Sequence, residues 1–198
     1  KLLETDLELN PFSQFRKWFD EVVSTGLPLP NAMTLATVKK DQTPAARIVL
    51  LKELDDRGFI FFTNYQSAKS DELAHQSKAA LLFWWISQER QVRIEGATEK
   101  ISASESEEYF ATRPRDSQLS AWASNQSHPV SGRPELEKKM AEMKTKFADQ
   151  KVTKPNEWGG YRLLPDFFEY WQGREDRLHD RICYFFEKNS WKVQRLAP

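Results

Sequence analysis

Short apolar segments separated by turn residues fill the stretch between residues 32 and 101. Connections as short as residues 55–58 join antiparallel neighbours, because a parallel crossover needs a dozen or more residues. These segments therefore favour an antiparallel barrel or sandwich over a parallel sheet. The predicted strands cover residues 32–38, 45–54, 59–63, 79–87 and 91–101.

Helix signals precede and follow these strands. Asn10 and Pro11 form an N-cap followed by a first-turn proline, and apolar residues at helical spacing continue until Gly26. Further helices are predicted over residues 67–76, 102–112, 116–124 and 133–149. Closing strands are predicted over residues 158–164, 167–171, 181–187 and 191–196.

The order of these elements predicts one α+β domain over residues 1–198, with a mostly antiparallel β-barrel and peripheral helices. Residues 1–9 are polar and are expected to form a loose arm. The helical stretch over residues 102–150 is predicted to be an insertion between strands rather than a second domain, since the chain length is that of one domain.

The chain has no net charge, because it contains 29 Lys+Arg and 29 Asp+Glu. A balanced chain lacks the basic field that broad binding to nucleic acid or anionic membranes requires. With only 7 glycines, the chain contains neither of the common glycine-rich phosphate-binding motifs. Any phosphorylated ligand must therefore be held mainly by side chains.

The single cysteine, Cys183, excludes an intrachain disulfide and favours a cytoplasmic location. Three isolated histidines and one cysteine lack the spacing of metal ligands, so we predict no metal. No apolar run approaches the ~20 residues that span a bilayer, and no signal peptide opens the chain. The chain begins at Lys1 rather than Met, so an upstream targeting segment stays open.

Two polar segments in the first half of the chain combine cations with strand or helix ends. Arg47 and Lys52 face opposite sides of one predicted strand, and by themselves they are more typical of a barrel strand with charged ends than of a ligand site. Lys69 follows the start of a predicted helix, where free N–H groups suit a phosphate. The alternative is a capped helix with an exposed lysine.

Three later segments also carry polar groups suited to ligands. Gln91 offers an amide to a heterocycle edge, or simply belongs to a solvated strand face. Tyr109 and Arg113 lie four residues apart, with Ser117 beyond a proline, which indicates either a monophosphate clamp or an arginine-rich loop. Residues 171–181 bring His179 together with several charged residues, so this histidine is a candidate site residue rather than an isolated one.

In this order, the five segments resemble the pyridoxamine 5′-phosphate oxidase family over residues 10–198. The motifs that carry the resemblance are RIVLLK, FFTN followed by S-x-K, RQVRIEG, YFATRPRDSQ, WASNQS, WGGYRL, EYWQG, RLHDR and the terminal RLAP. The resemblance implies an FMN-binding split β-barrel that forms a homodimer with FMN at the subunit interface. It also implies oxidation of pyridoxamine 5′-phosphate and pyridoxine 5′-phosphate to pyridoxal 5′-phosphate by O2, with release of hydrogen peroxide.

The resemblance assigns roles to residues that match the family motifs. The implied FMN-binding residues are Arg47, Ile48, Val49, Leu50, Leu51, Lys52, Phe62, Thr63, Lys69, Gln91, Gln126, Ser127, Trp171 and Arg181. Four of these are expected to reach FMN across the dimer, namely Gln126, Ser127, Trp171 and Arg181. The substrate phosphate is expected to contact Lys52, Tyr109, Arg113 and Ser117. The implied catalytic residues, which also bind the substrate ring, are Arg177 and His179.

One position departs from the family pattern. Ala68 stands where the family often has arginine, and losing one charge-assisted hydrogen bond typically costs ~1.5–3 kcal/mol, so we expect weaker FMN binding.

Two alternative functions remain open. The first is another split-barrel flavoprotein, a phenazine-pathway oxidase or a flavin reductase, which the substrate-side residues argue against. The second is a non-catalytic carrier of FMN or pyridoxal 5′-phosphate.

Overall fold

The computed structural model describes residues 1–198 as one nine-stranded sheet with five α-helices around it. The strands are β1 (Ala32–Val38), β2 (Pro44–Leu50), β3 (Glu53–Leu54), β4 (Phe59–Asn64), β5 (Lys78–Trp85), β6 (Arg90–Lys100), β7 (Trp158–Gln172), β8 (Asp180–Glu187) and β9 (Ser190–Leu196). The helices are α1 (Pro11–Ser24), α2 (Ala68–His75), α3 (Ala103–Thr112), α4 (Arg115–Ala123) and α5 (Arg133–Lys146). None of the helices has the length and apolar character needed to cross a bilayer.

Every strand pairing is antiparallel, as the short connections predict. The sheet runs in the order β2-β1-β5-β6-β7-β4-β3, and β8 and β9 extend it from β7. The sheet curls so that its two ends meet, because the Lys52 N–H donates to the Ile60 carbonyl at 2.9 Å. The predicted mostly antiparallel α+β barrel with peripheral helices is confirmed.

The prediction of one continuous strand over residues 45–54 was wrong. The strand ends at Leu50, because the next two residues take different partners: the Leu51 N–H donates to Asn31 at 2.8 Å, and the Lys52 N–H donates to Ile60. Strand pairing resumes at β3, which pairs with β4. This change of partner carries the chain from one end of the sheet order to the other and closes the barrel.

The prediction of two strands over residues 158–164 and 167–171 was also wrong, since both belong to β7. Pro165 has no N–H for the ladder, yet the strand continues because the register shifts between Glu95 and Gly96 on β6. Gly96 makes the close approach possible, since a Cβ there would lie 2.0 Å from the Leu164 carbonyl oxygen. β7 is therefore one strand of 15 residues.

α1 fills the inside of the curled sheet. The Asn10 side chain caps it by accepting from the Phe12 N–H at 2.8 Å, as the Asn-Pro pair predicts. Phe15, fully buried on this helix, lies with its ring centroid 4.9 Å from that of Phe59 and 5.0 Å from that of Phe83. A second, smaller core lies under the helices that follow β6, and it consists of Phe110, Leu119, Phe147, Val152 and Trp158.

We predict that Phe15→Ala lowers the free energy of unfolding by about 3–5 kcal/mol, because it leaves a cavity among rings that cannot close around it. Urea unfolding of the protein followed by circular dichroism measures the change. Leu9→Ala is the control, since Leu9 is 93% exposed and its loss is expected to cost less than about 0.5 kcal/mol. Equal midpoints for the two variants would contradict this description of the core.

Candidate active site

A cavity of about 730 Å³ opens between the end of β4 and the helices α3 and α4. All four residues expected to hold a phosphate line it, although they come from separate parts of the chain: Lys52, Tyr109, Arg113 and Ser117. Four residues of the expected FMN set besides Lys52 line the same cavity: Leu50, Phe62, Thr63 and Gln126. The barrel and the helical insertion thus bring the two expected groups of residues to one place.

Arg113 brings a partly buried positive charge into this cavity. Its guanidinium lies 4.7 Å from the Trp158 ring, and its buried Nη1 has no hydrogen-bond partner in the chain. Burial lowers the pKa of Arg113 from its usual value. A buried donor without an acceptor is costly, so this atom favours an anionic ligand in the cavity.

Aromatic stacking fixes the wall beside Arg113. The Phe62 ring stacks on Tyr109 with centroids 4.0 Å apart and on Trp158 with centroids 5.1 Å apart. Trp158 was predicted only as the start of a strand, and no motif in the sequence identifies it as part of the site. Its role depends on the packing of β7 against α3.

The expectation that Tyr109 and Arg113 lie on one face of a helix is only partly correct. α3 ends at Thr112, and Arg113 is its C-cap with extended backbone, because the following Pro114 disfavours the helical conformation. The other end of α3 is held by a capping box between Ser102 and Glu105. Both residues still face one cavity, and Ser117 enters it from the first turn of α4.

The N-terminus of α3 is tied to the sheet by a buried arginine. Arg162 on β7 is 4% exposed, and it bonds to Glu105 at 2.9 Å and to Asp55 at 2.6 Å. Hydrogen bonds from Ser102 and then from Arg162 lower the pKa of Glu105 to about 2. These contacts set the position of the helix that carries Tyr109 and precedes Arg113.

Lys69 lies next to this cavity and has only neutral acceptors. Its Nζ donates to Thr63 Oγ1 at 3.1 Å, Ser67 Oγ at 3.3 Å and Gln126 Oε1 at 3.1 Å. Burial, followed by the charge of Arg47, lowers the pKa of Lys69. A half-buried ammonium group beside a second cation and without a bonded carboxylate is suited to an anion.

Arg47 is on the core-facing side of β2 and is held by α2. It forms an ion pair with Glu72 at 2.7 Å and hydrogen-bonds to Thr37. The sequence did not identify Glu72, although its place three residues after Lys69 on a helix is the signal that could have found it. Ala68, the first residue of α2, is exposed beside this group.

The remaining residues of the predicted FMN strand differ in their positions. Leu51 is 7% exposed and Val49 packs against the core, so neither side chain faces the cavity. Ile48 points out of the sheet and is 65% exposed. Gln126 Oε1 accepts hydrogen bonds from Thr63 and Lys69 of its own chain, and its contact with FMN across the dimer stays a prediction. Ser127 is exposed with a left-handed φ of 70°.

A second group of predicted residues lies together near the C-terminal end of β7. Gln91 and Arg181 are opposite Trp171 on the neighbouring strands. The His179 ring packs 4.6 Å from that of Trp171, and its Nδ1 accepts from the Arg174 N–H at 3.1 Å. Because a main-chain N–H only donates, the neutral His179 ring carries its proton on Nε2.

Arg177 belongs to the loop between β7 and β8. It is exposed and adopts a left-handed φ of 59°, directly after Asp176 with a φ of 55°. Such conformations are rare for residues other than glycine and are typical of functional loops. The loop presents Arg177 to the surface beside His179.

The two groups include residues from different parts of β7. Trp158 of the cavity and Trp171 of the second group lie near opposite ends of β7, and at about 3.3 Å per residue the strand path between them is about 40 Å. We therefore expect a ligand that contacts both groups to lie between two copies of the chain. The outer face of the sheet carries large exposed apolar residues, among them Ile48 and Trp84, as expected of a subunit interface.

Comparison with known structures agrees with this architecture. The structure of PhzG from Burkholderia lata 383, in complex with tetrahydrophenazine-1-carboxylic acid, superposes with a TM-score of 0.94 at 29% identity and covers 100% of this chain and 98% of the other. A pyridoxamine 5′-phosphate oxidase-related, FMN-binding protein from Nostoc punctiforme has a TM-score of 0.74 at 17% identity, covering 93% and 97% of the two chains. The fold is the split barrel of this class of FMN-binding proteins.

Sequence comparison identifies the family. The pyridoxamine 5′-phosphate oxidase family matches residues 19–147, and the pyridoxine 5′-phosphate oxidase C-terminal dimerisation region matches residues 158–198. The pyridoxine/pyridoxamine 5′-phosphate oxidase of Cupriavidus necator is 55% identical over 100% of this chain and 93% of its own length. That of a Cyanothece species is 52% identical over 100% and 92%. The chain belongs to the pyridoxamine 5′-phosphate oxidase family.

Proposed function

We propose that this protein is an FMN-dependent oxidase that converts pyridoxamine 5′-phosphate and pyridoxine 5′-phosphate to pyridoxal 5′-phosphate. O2 is the electron acceptor and hydrogen peroxide the second product, and oxidation of the amine substrate also consumes water and releases ammonia. The enzyme works as a homodimer, in line with the dimerisation region over residues 158–198. We place it in the cytoplasm, where its one buried cysteine stays reduced.

The observation that carries this proposal is the buried, unpaired Nη1 of Arg113 in a cavity that also contains Lys52, Tyr109 and Ser117. Two cations and two hydroxyl groups match the charge and the acceptor oxygens of a phosphate monoester. The stacked rings of Phe62, Tyr109 and Trp158 give the same cavity an apolar wall. A small phosphorylated heterocycle fits this combination of groups.

The residues around Lys69 fit the phosphate of FMN. Lys69 and Arg47 supply two positive charges, of which only Arg47 is paired with a carboxylate. Thr63, Ser67 and Gln126 already orient the Lys69 ammonium group through its hydrogen bonds. Gln91, together with Trp171 and Arg181 of the partner subunit, completes the flavin site.

When bound, FMN would supply the redox chemistry of the reaction, which is hydride removal from C4′ of the substrate and reoxidation by O2. The chain supplies binding and orientation. Lys52, Tyr109, Arg113 and Ser117 hold the phosphate end, so that binding energy far from C4′ places the reacting carbon. Arg177 and His179 of the partner subunit cover the substrate ring, and His179 donates from Nε2 because its Nδ1 already accepts from Arg174.

The other functions have less support. PhzG is the source of a solved structure similar to this chain, but at 29% identity it is more distant in sequence than the oxidases at 52% and 55%. A flavin reductase has no use for a phosphate clamp at Arg113. A carrier without catalysis does not require the exposed Arg177 and His179 beside the interface.

Anaerobic addition of pyridoxamine 5′-phosphate to the purified yellow holoprotein is expected to bleach the flavin absorbance. Readmitting O2 is expected to restore the absorbance and to yield hydrogen peroxide and pyridoxal 5′-phosphate in equal amounts. Visible spectroscopy and a peroxide assay measure both steps. Bleaching by NADH but not by the amine would favour a flavin reductase, and no bleaching by either would favour a carrier.

Arg113→Met is expected to raise KM for pyridoxamine 5′-phosphate roughly 10- to 150-fold, since it removes a charge-assisted contact worth about 1.5–3 kcal/mol. FMN content is expected to stay unchanged, because Arg113 is not among the groups that bind Lys69. Steady-state kinetics and flavin absorbance measure the two effects. Arg133→Met is the matched control, since the Arg133 side chain is 79% exposed and pairs only with Glu137. An unchanged KM in Arg113→Met would exclude the phosphate role.

Ala68→Arg is expected to tighten FMN binding about tenfold or more, because it adds a cation beside Lys69 at the exposed start of α2. Quenching of FMN fluorescence during titration of the apoprotein measures the dissociation constant. Ala68→Gln adds a similar chain without the charge and serves as the control. Equal affinity in the native chain and in Ala68→Arg would show that the missing arginine has no effect here.

A further inference from the structure

Glu169 is a buried acid near the C-terminal end of β7 that the proposed reaction does not use. Its side chain is 4% exposed, and its two carboxylate oxygens bind different arginines. Oε2 accepts from Arg93 on β6 at 2.7 Å, and Oε1 accepts from Arg181 on β8 at 2.7 Å. The three side chains form a row across three neighbouring strands.

The carboxylate of Glu169 is held in its charged form. Burial raises its pKa, but the hydrogen bonds from Arg181 and Arg93 outweigh burial and leave the pKa below its usual value. A buried ion pair is a weak source of stability, because an apolar replacement of the same volume is often neutral or better. The position of this acid is therefore better explained by what it does to its partners.

Arg181 is the partner with a ligand-facing role. Its Nε binds Glu169, and its Nη1 donates to the Ala197 carbonyl at 3.0 Å. Its Nη2 makes no hydrogen bond within the chain, which leaves one edge of the guanidinium available. Because the guanidinium is planar, the contacts of Nε and Nη1 fix the direction in which Nη2 of Arg181 points.

We propose that Glu169 is a positioning residue for FMN binding, which acts by holding the Arg181 guanidinium in the orientation that contacts the cofactor of the partner subunit. This inference rests on the proposed function, because it takes Arg181 as an FMN contact. Glu169 itself touches neither FMN nor substrate. Arg93 completes the row by neutralising the second oxygen of the same carboxylate.

Glu169→Gln keeps the size of the side chain and removes its charge. The dissociation constant of FMN, measured by fluorescence quenching with the dimeric apoprotein, is expected to rise at least about tenfold. Glu95→Gln is the control, because Glu95 pairs with Arg93 but not with Arg181 and its side chain is 41% exposed. It is expected to bind FMN like the native chain. Light scattering on each variant reports whether the dimer persists.

A double-mutant cycle with Arg181→Met separates positioning from a general structural role. If Glu169 acts through Arg181, adding Glu169→Gln to Arg181→Met weakens FMN binding no further. Additive losses, native-like affinity in Glu169→Gln, or dissociation of its dimer would each overturn the inference. Arg181→Met alone tests the proposed function: if it binds FMN normally, Arg181 is not a cofactor contact and both assignments fail. A loss in Arg181→Met without a loss in Glu169→Gln overturns only the role of Glu169.

Discussion

The pairing of β7 with three other strands organises both halves of the site. β7 is hydrogen-bonded to β4 near its start, to β6 along most of its length and to β8 near its end. Trp158 therefore lies in the cavity that we propose binds the substrate phosphate, whereas Trp171 lies with Gln91 and Arg181 far along the strand. The dimerisation region matched over residues 158–198 includes all of β7, so a second subunit is available to bring the two halves together.

The distribution of charge follows from the same arrangement. Arg47 and Arg181 are held by the buried carboxylates Glu72 and Glu169, which fix their orientation. Lys69 and Arg113 have no carboxylate partner, and both lie at or beside the cavity. An anion therefore binds most favourably beside Lys69 and Arg113, whose positive charges are unpaired, although the chain as a whole has no net charge.

The sequence predicted most elements well, because local signals are strong in this chain. Turn residues and apolar alternation located β1, β4, β5 and β6, and the Asn10 cap located α1. The errors occurred where tertiary pairing overrides local signals. Leu51 and Lys52 leave the strand because they bond to residues distant in sequence, and Pro165 does not end β7 because the bulge opposite Gly96 absorbs it.

By itself, the sequence determined an antiparallel α+β barrel and, through its ordered motifs, the family and most of the proposed site residues. Only the tertiary structure decided how these residues are grouped, that Gln126 belongs beside Lys69 of its own chain, and that Glu169 lies between two arginines. The physical reason is that motifs report which side chains are present, whereas burial and the unpaired state of Arg113 depend on contacts between distant segments. Those contacts exist only once the sheet has curled and the helices have packed against β7.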